Sequence, residues 1–225
     1  MLSDFTAISL DMPIRIRQHV NPLARKFQQP IQVPNWQEIF DCVNRDIHLD
    51  IGCARGGFLL EMAQQNPQIN FLGIEIRQPL VLAANQLKNE LGLTNLHYLF
   101  GNMNSSAEVL LQSLPSNSLK TISVQFPDPW FKKRHNKRRV VQNELVQTLV
   151  DYLAESGRVF LQSDIEEVAC QMRDRFANQP LLIQQHSSTW LTTNPFTVAT
   201  ERERYVLEQN LPVYRVMFYK SSTVK

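Results

Sequence analysis

Three acidic residues and one basic run carry most of the chemistry available to this chain. Asp50 and Glu75 each lie near the end of a short apolar run with a glycine beside it. Asp128 is held between Pro127 and Pro129, directly ahead of Trp130. Residues 132–139 then place six fixed cations in eight positions. The whole chain has 23 Lys and Arg against 21 Asp and Glu, so the rest of the chain taken together is net acidic once that run is set aside. A dense cationic patch on a mildly acidic body is the footprint of a polyanion-binding surface. A solvated charge run is the plainer alternative.

Four of the seven glycines, Gly52, Gly56, Gly57 and Gly73, fall within 22 residues. The stretch Asp50-Ile51-Gly52-Cys53-Ala54-Arg55-Gly56-Gly57 leaves an apolar run and enters a helical pattern, where glycines let backbone approach a ligand over a strand end. Glu75, about 20 positions on, sits where a carboxylate accepts from a ribose diol. Nicotinamide dinucleotides and S-adenosylmethionine (SAM) both fit. The turn is less glycine-rich than a full GxGxxG and makes a poorer pyrophosphate cradle, which favours SAM. Tight strand–helix packing is the structural alternative. Asn102 follows a third apolar run, where its amide either faces an adenine edge or simply makes a turn. Asp128 can accept from the N1–H and exocyclic amine of guanine, while Trp130 stacks on a base or packs the loop. Asp164 lies after a fifth run and either faces the cleft or caps the following helix.

These residues need a scaffold that brings strand ends together. Strands are expected over residues 47–53, 70–76, 96–100, 118–126 and 158–162, with an antiparallel pair over 181–190 and 213–220. Helices are expected over 58–65 and 165–176, with Leu80, Ala84, Leu87 and Leu91 marking another and Val141, Leu145, Leu149 and Leu153 the core face of a long one. Gly157 reads as the C-cap of that long helix. Strands alternating with helices predict an α/β doubly wound, mostly parallel seven-stranded sheet, with every post-strand loop along one edge. Residues 1–45, broken by Pro13, Pro22, Pro30 and Pro34, read as a basic N-terminal arm, and 46–225 as one domain.

Residues 1–10 show no secretory pattern and no apolar run is long enough to span a bilayer. Cys42, Cys53 and Cys170 are odd in number and widely spaced, which suits a reducing, cytoplasmic setting. The five histidines lack ligand spacing, so no metal is expected. Monomer and homodimer are both open.

The run PDPWFKKRHNKRR resembles the signature of the bacterial tRNA (guanine-N7-)-methyltransferases, the TrmB family. The similarity spans nearly the whole chain. Arg17-Gln18-His19-Val20-Asn21-Pro22-Leu23, Asp50-Ile51-Gly52, Gly73-Ile74-Glu75, Ser163-Asp164, Thr200-Glu201-Arg202-Glu203 and Pro212-Val213-Tyr214-Arg215 occur in the family's order. The resemblance implies a Rossmann-like class I SAM-dependent methyltransferase that methylates N7 of a variable-loop guanosine (position 46 of tRNA). It implies cofactor contacts at Asp50, Gly52, Glu75, Asn102 and Asp128, with Asp128 also the catalytic position. Substrate contacts would fall at Lys132, Asp164, Thr200, Glu201, Arg202 and Glu203, and RNA contacts at Arg134, His135, Asn136, Lys137, Arg138 and Arg139. The chain departs from the family in three places. Asp50 stands where Glu is frequent, Ala54 where many members have Gly, and Asn102 where some have Asp.

Guanine N7 is a lone-pair acceptor in the neutral base, so its methylation needs no deprotonation. That agrees with the lack of a poised His or Cys among the motifs. A methyltransferase acting on an exocyclic amine would use an Asp/Asn-Pro-Pro-aromatic loop, and here one proline precedes Asp128. A non-catalytic RNA-binding module on the same fold is the reading from a different class.

Overall fold

The computed structural model describes residues 20–222. Its strands are β1 (Ile47–Ile51), β2 (Asn70–Glu75), β3 (Leu96–Phe100), β4 (Leu119–Gln125), β5 (Arg158–Ser163), β6 (Leu182–Gln184) and β7 (Tyr214–Lys220). Its α-helices are α1 (Trp36–Ile39), α2 (Gly57–Gln65), α3 (Gln78–Glu90), α4 (Met103–Gln112), α5 (Asn143–Tyr152), α6 (Glu166–Ala177) and α7 (Glu201–Glu208).

Every residue of β1 and β2 is buried, as the short, nearly continuous apolar runs of a parallel sheet covered on both faces require. The strands form one sheet in the order β3-β2-β1-β4-β5-β7-β6. The first five are parallel, and β7 runs antiparallel to both β5 and β6. The order reverses between β1 and β4, which opens a crevice at their C-terminal ends. Phe58, Leu59, Met62, Val81 and Ala84 from α2 and α3 pack into one core cluster. Leu110, Leu145, Leu149, Val168 and Met172 from α4, α5 and α6 belong to the other. The doubly wound, seven-stranded reading therefore holds.

The details differ in four places. The expected strand over 181–190 shrinks to three residues because Gln184 turns its amide onto the carbonyls of His186 and Ser188, drawing the chain off the ladder. Gly157 is not the cap of α5, which ends at Leu153. It instead closes a turn onto Ala154, whose carbonyl oxygen would lie 2.7 Å from an added Cβ. Beyond the arm, which holds the short α1, two helices were absent from the sequence reading. In α4 the polar start Asn104-Ser105-Ser106 resembles a loop, but Asn102 Oδ1 accepts from Asn104 N and starts a helix. In α7 the Thr200 hydroxyl accepts from Glu203 N in the same way.

The described part of the N-terminal arm is packed rather than loose. Ile31, Trp36 and Phe40 belong to the larger core cluster. Trp36 Nε1 donates to Ser113 Oγ over 3.0 Å, and Ile31 N to Ser106 Oγ over 3.1 Å. Arg17, Gln18 and His19 of the motif noted above lie outside the described residues, as does the stretch read for a secretory pattern. No helix among the described residues is long and apolar enough to cross a membrane.

Candidate active site

The crevice between β1 and β4 holds a cleft of about 280 Å³, lined by the loops after the first four strands, Pro22 of the arm and the start of α7. Asp50, Gly52, Glu75, Asn102, Asp128, Arg138, Thr200, Glu201 and Arg202 all reach it.

Asp50 is almost fully buried and accepts from Ser123 Oγ at 2.5 Å and Gln125 Nε2 at 3.3 Å. Burial pushes its carboxyl up to about 6, which the Ser123 and Gln125 bonds only partly oppose and the nearby Glu75 charge reinforces. His48, bonded to the same Ser123 hydroxyl at 2.9 Å, is held down at about 3 by its complete burial and stays neutral. After Asp50 the chain turns through three left-handed residues, Gly52 (φ 82°), Ala54 (φ 51°) and Gly56 (φ 80°). At Gly56 a side chain is doubly excluded, because an added Cβ would meet the Tyr98 ring at 2.6 Å. Above Gly52 nothing lies within 4 Å of that position, so the backbone faces open space.

Glu75 closes β2 with its carboxylate turned back onto the turn. One oxygen accepts from Ala54 N at 3.0 Å and Arg77 Nη2 at 3.0 Å, the other from Arg77 N and Nε at 2.9 Å each. Four donors fill the roughly four lone-pair sites of a carboxylate. A ribose diol would reach Glu75 only by taking the place of Arg77. Arg77, two positions beyond Glu75, was not singled out from sequence. Its only signal is its place just beyond the ribose acid.

Asn102 lines the cleft, but its amide nitrogen donates to the Pro22 and Phe27 carbonyls at 3.2 Å each. It thus pins the arm and caps α4 at once. Only Oδ1, which already accepts from Asn104 N, retains a lone pair for a donor such as an adenine amine.

Asp128 stands at the cleft in a strained loop. Phe126 (φ 48°) and Trp130 (φ 44°) take left-handed conformations that bulky residues rarely adopt. Strain of this kind persists only where the surroundings over-determine it, and the basic run supplies them. Residues Lys133–Arg138 form a 3-10 turn. Arg138 lies 4.9 Å over the Trp130 ring, and His135 meets that ring edge-on at 5.6 Å. Desolvation and then the charges of Arg138, Arg134 and Lys132 lower the His135 pKa. Lys132, Lys133, Arg134 and Lys137 are exposed outside the cleft, while Asn136 is half-buried there.

Two expected contacts are corrected. Arg139, only 4% exposed, does not face RNA: its guanidinium bonds Pro129 O at 2.7 Å, Glu167 Oε1 at 2.8 Å and Gln171 Oε1 at 3.2 Å. Glu203, 1% exposed, does not face substrate. It pairs with Arg215 Nη2 at 2.7 Å and accepts from Asn194 at 2.8 Å and Gln162 at 3.1 Å. Gln162 also donates to Gln125 Oε1 at 2.8 Å. A buried polar chain therefore runs from α7 through β5 and β4 to Asp50. Gln125 and Gln162 were missed from sequence. Their signal was an amide at or next to the last position of each of two neighbouring strands. Asp164 is not a helix cap; Ile165 holds that position, and Asp164 pairs with Arg202 instead. The described residues hold no cluster of three or more His, Cys, Asp or Glu able to bind a metal.

The sheet order and the strand-end cleft define a Rossmann-like, doubly wound fold. Among solved structures, the chain is similar to the 16S rRNA methyltransferase KamB, with 14% identity, TM-score 0.54, and 86% of this chain and 95% of that one covered. It is also similar to an rRNA methylase from Streptococcus thermophilus, with 15% identity, TM-score 0.50, and 82% and 91% covered. A family model described as "Putative methyltransferase" matches residues 44–216. The tRNA (guanine-N(7)-)-methyltransferase of Microcystis aeruginosa is 56% identical over 205 residues, covering 91% of this chain and 97% of its own. That of a Nostoc species is 53% identical over 222 residues, covering 99% and 100%. The chain belongs to the tRNA (guanine-N(7)-)-methyltransferase family.

Proposed function

We propose that this protein transfers a methyl group from SAM to N7 of the variable-loop guanosine at position 46 of tRNA. The observation that carries this reading is one cleft in which Asp50, Glu75 and Asp128 converge beside open space above Gly52, with a cationic surface on the chain just beyond. Those features fit SAM, whose sulfonium supplies an electrophilic methyl. The buried Asp50 carboxylate suits a cationic ligand group, Glu75 suits a ribose once Arg77 yields, and Asn102 Oδ1 suits an adenine amine.

On the substrate side, Asp128 accepts from the Watson–Crick donors of guanine and offsets the positive charge that the methylated base acquires. The two prolines and the Arg139 bond hold that carboxylate still, so placement does most of the work. Arg202, Thr200 and Glu201 form the opposite wall, with Arg202 steadied by Asp164. Lys132, Arg134, His135, Asn136, Lys137 and Arg138 provide the RNA-facing surface, and the target base leaves its stack to reach the cleft. The reaction takes place in the cytoplasm.

The single-turnover rate at saturating SAM tests this mechanism. It should stay flat from about pH 6.5 to 8.5, because guanine N7 accepts the methyl group through a lone pair and loses no proton. A rate rising tenfold per pH unit through neutrality contradicts it and points to an exocyclic amine.

A further inference from the structure

We propose that Phe131 is a stacking residue for an unpaired base of the tRNA substrate. Phe131 is 69% exposed, the most exposed large hydrophobic side chain among the described residues. Isolated exposed apolar residues are ordinary, and Leu82, at 63%, is one: it sits on α3 between Val81 and Ala83 with no cation next to it.

Phe131 differs in three respects. Its chain neighbour Trp130 is fixed under the Arg138 guanidinium and against His135, so the ring is mounted on a held segment. Three exposed cations, Lys132, Lys133 and Arg134, follow it directly. Asp128, which lines the cleft, lies only three residues before it. An aromatic ring in water beside phosphate-binding cations is the arrangement that receives unstacked bases in single-stranded recognition. A rigid ring also loses little conformational freedom on stacking. A base leaving a stacked tRNA to enter the cleft exposes the face of its neighbour, and Phe131, three residues from the cleft-lining Asp128, offers a ring to cover it. An anionic membrane would also attract cations beside an aromatic, but the adjoining cleft for a nucleoside favours RNA.

This inference rests on tRNA being the substrate. Its test is equilibrium binding of the full chain to unmodified tRNA across a salt series, for the wild type, Phe131→Ala and Phe131→Trp. Phe131→Ala should weaken binding about tenfold, within the range base–aromatic stacking supplies. SAM affinity and the slope of log K against log salt should not change, since no charge is lost. Lys132→Ala should instead reduce that slope by about 0.7 to 0.9. Phe131→Trp should restore affinity and add fluorescence quenching on tRNA addition beyond that of the three native tryptophans. Wild-type tRNA affinity in Phe131→Ala overturns the inference alone, as does loss of binding to anionic vesicles with tRNA binding intact. A wild type with no tRNA affinity overturns the substrate assignment together with it.

Discussion

Arg139 Nε donates to the carbonyl oxygen of Pro129 over 2.7 Å, tying the last cation of the basic run to the loop that carries Asp128. The run therefore has two parts. Its exposed cations face outward, while Arg138 and Arg139 grip Trp130 and Pro129 and hold the loop that carries Asp128 in its strained form.

Arg139→Ala should accordingly act as a loop mutation. It leaves the Pro129 carbonyl without its donor, at a cost of about 1–3 kcal/mol, and lowers Tm by several degrees. The methyl-transfer rate should fall at least tenfold, with the salt slope of tRNA binding unchanged. Arg139→Lys should not rescue it, because a lysine cannot reproduce the three-way fork. A reduced salt slope with a normal rate would show that Arg139 contacts phosphate.

Asp50, proposed above as a cofactor contact, would set SAM retention against stability. Its folded-state pKa of about 6 lies above the ordinary 3.8. The folded chain therefore holds the proton more tightly, and this contribution favours folding fully below pH 3.8 and is lost as pH rises through 6. At pH 7 the buried charge costs on the order of 3 kcal/mol. Asp50→Asn should thus raise Tm at pH 7 to 8, with the gain vanishing near pH 4, while SAM binding is severely weakened. In the wild type, SAM affinity should fall as pH drops below 6. A variant equally stable at every pH would contradict this assignment.

Glu75→Ala should lower SAM affinity at least a hundredfold while the fold persists. Ala54 N and the Arg77 guanidinium lose their acceptor, so a modest drop in Tm should accompany the loss. Calorimetric titration that finds near-wild-type SAM affinity would remove Glu75 from the cofactor site.

Ala54 carries a Cβ at φ 51°, a conformation costing about 1–2 kcal/mol for an L-residue. Ala54→Gly relieves that cost but adds unfolded-state entropy of about 0.5–1 kcal/mol. A net rise in Tm of a few degrees is expected by thermal unfolding. A fall would mean that the methyl packs favourably.

The five parallel strands and the residues at their ends were legible because buried apolar runs, glycine turns and strand-end carboxylates leave strong local patterns. Asp50, Glu75 and Asp128 reach one cleft as the topology requires. What stayed hidden depends on contacts distant in sequence. Arg139 looks like any cation of its run, and only Pro129 and Glu167, brought together by folding, make it structural. Glu203 reads as a substrate contact within a polar motif, and nothing local announces its burial until Arg215 of β7 arrives opposite it. The left-handed Phe126 and Trp130 have no local signature, since glycine is the residue such conformations ordinarily announce.

On the proposed mechanism the methyl group ends on guanine N7. The most direct measurement is nucleoside analysis by mass spectrometry of unmodified tRNA after reaction with the protein and isotopically labelled SAM, with the modified site mapped along the RNA. Label is expected in N7-methylguanosine at the variable-loop position, lost with Asp128→Asn while SAM binding persists. Label on an exocyclic base nitrogen, or SAM binding without any transfer to tRNA, would contradict it.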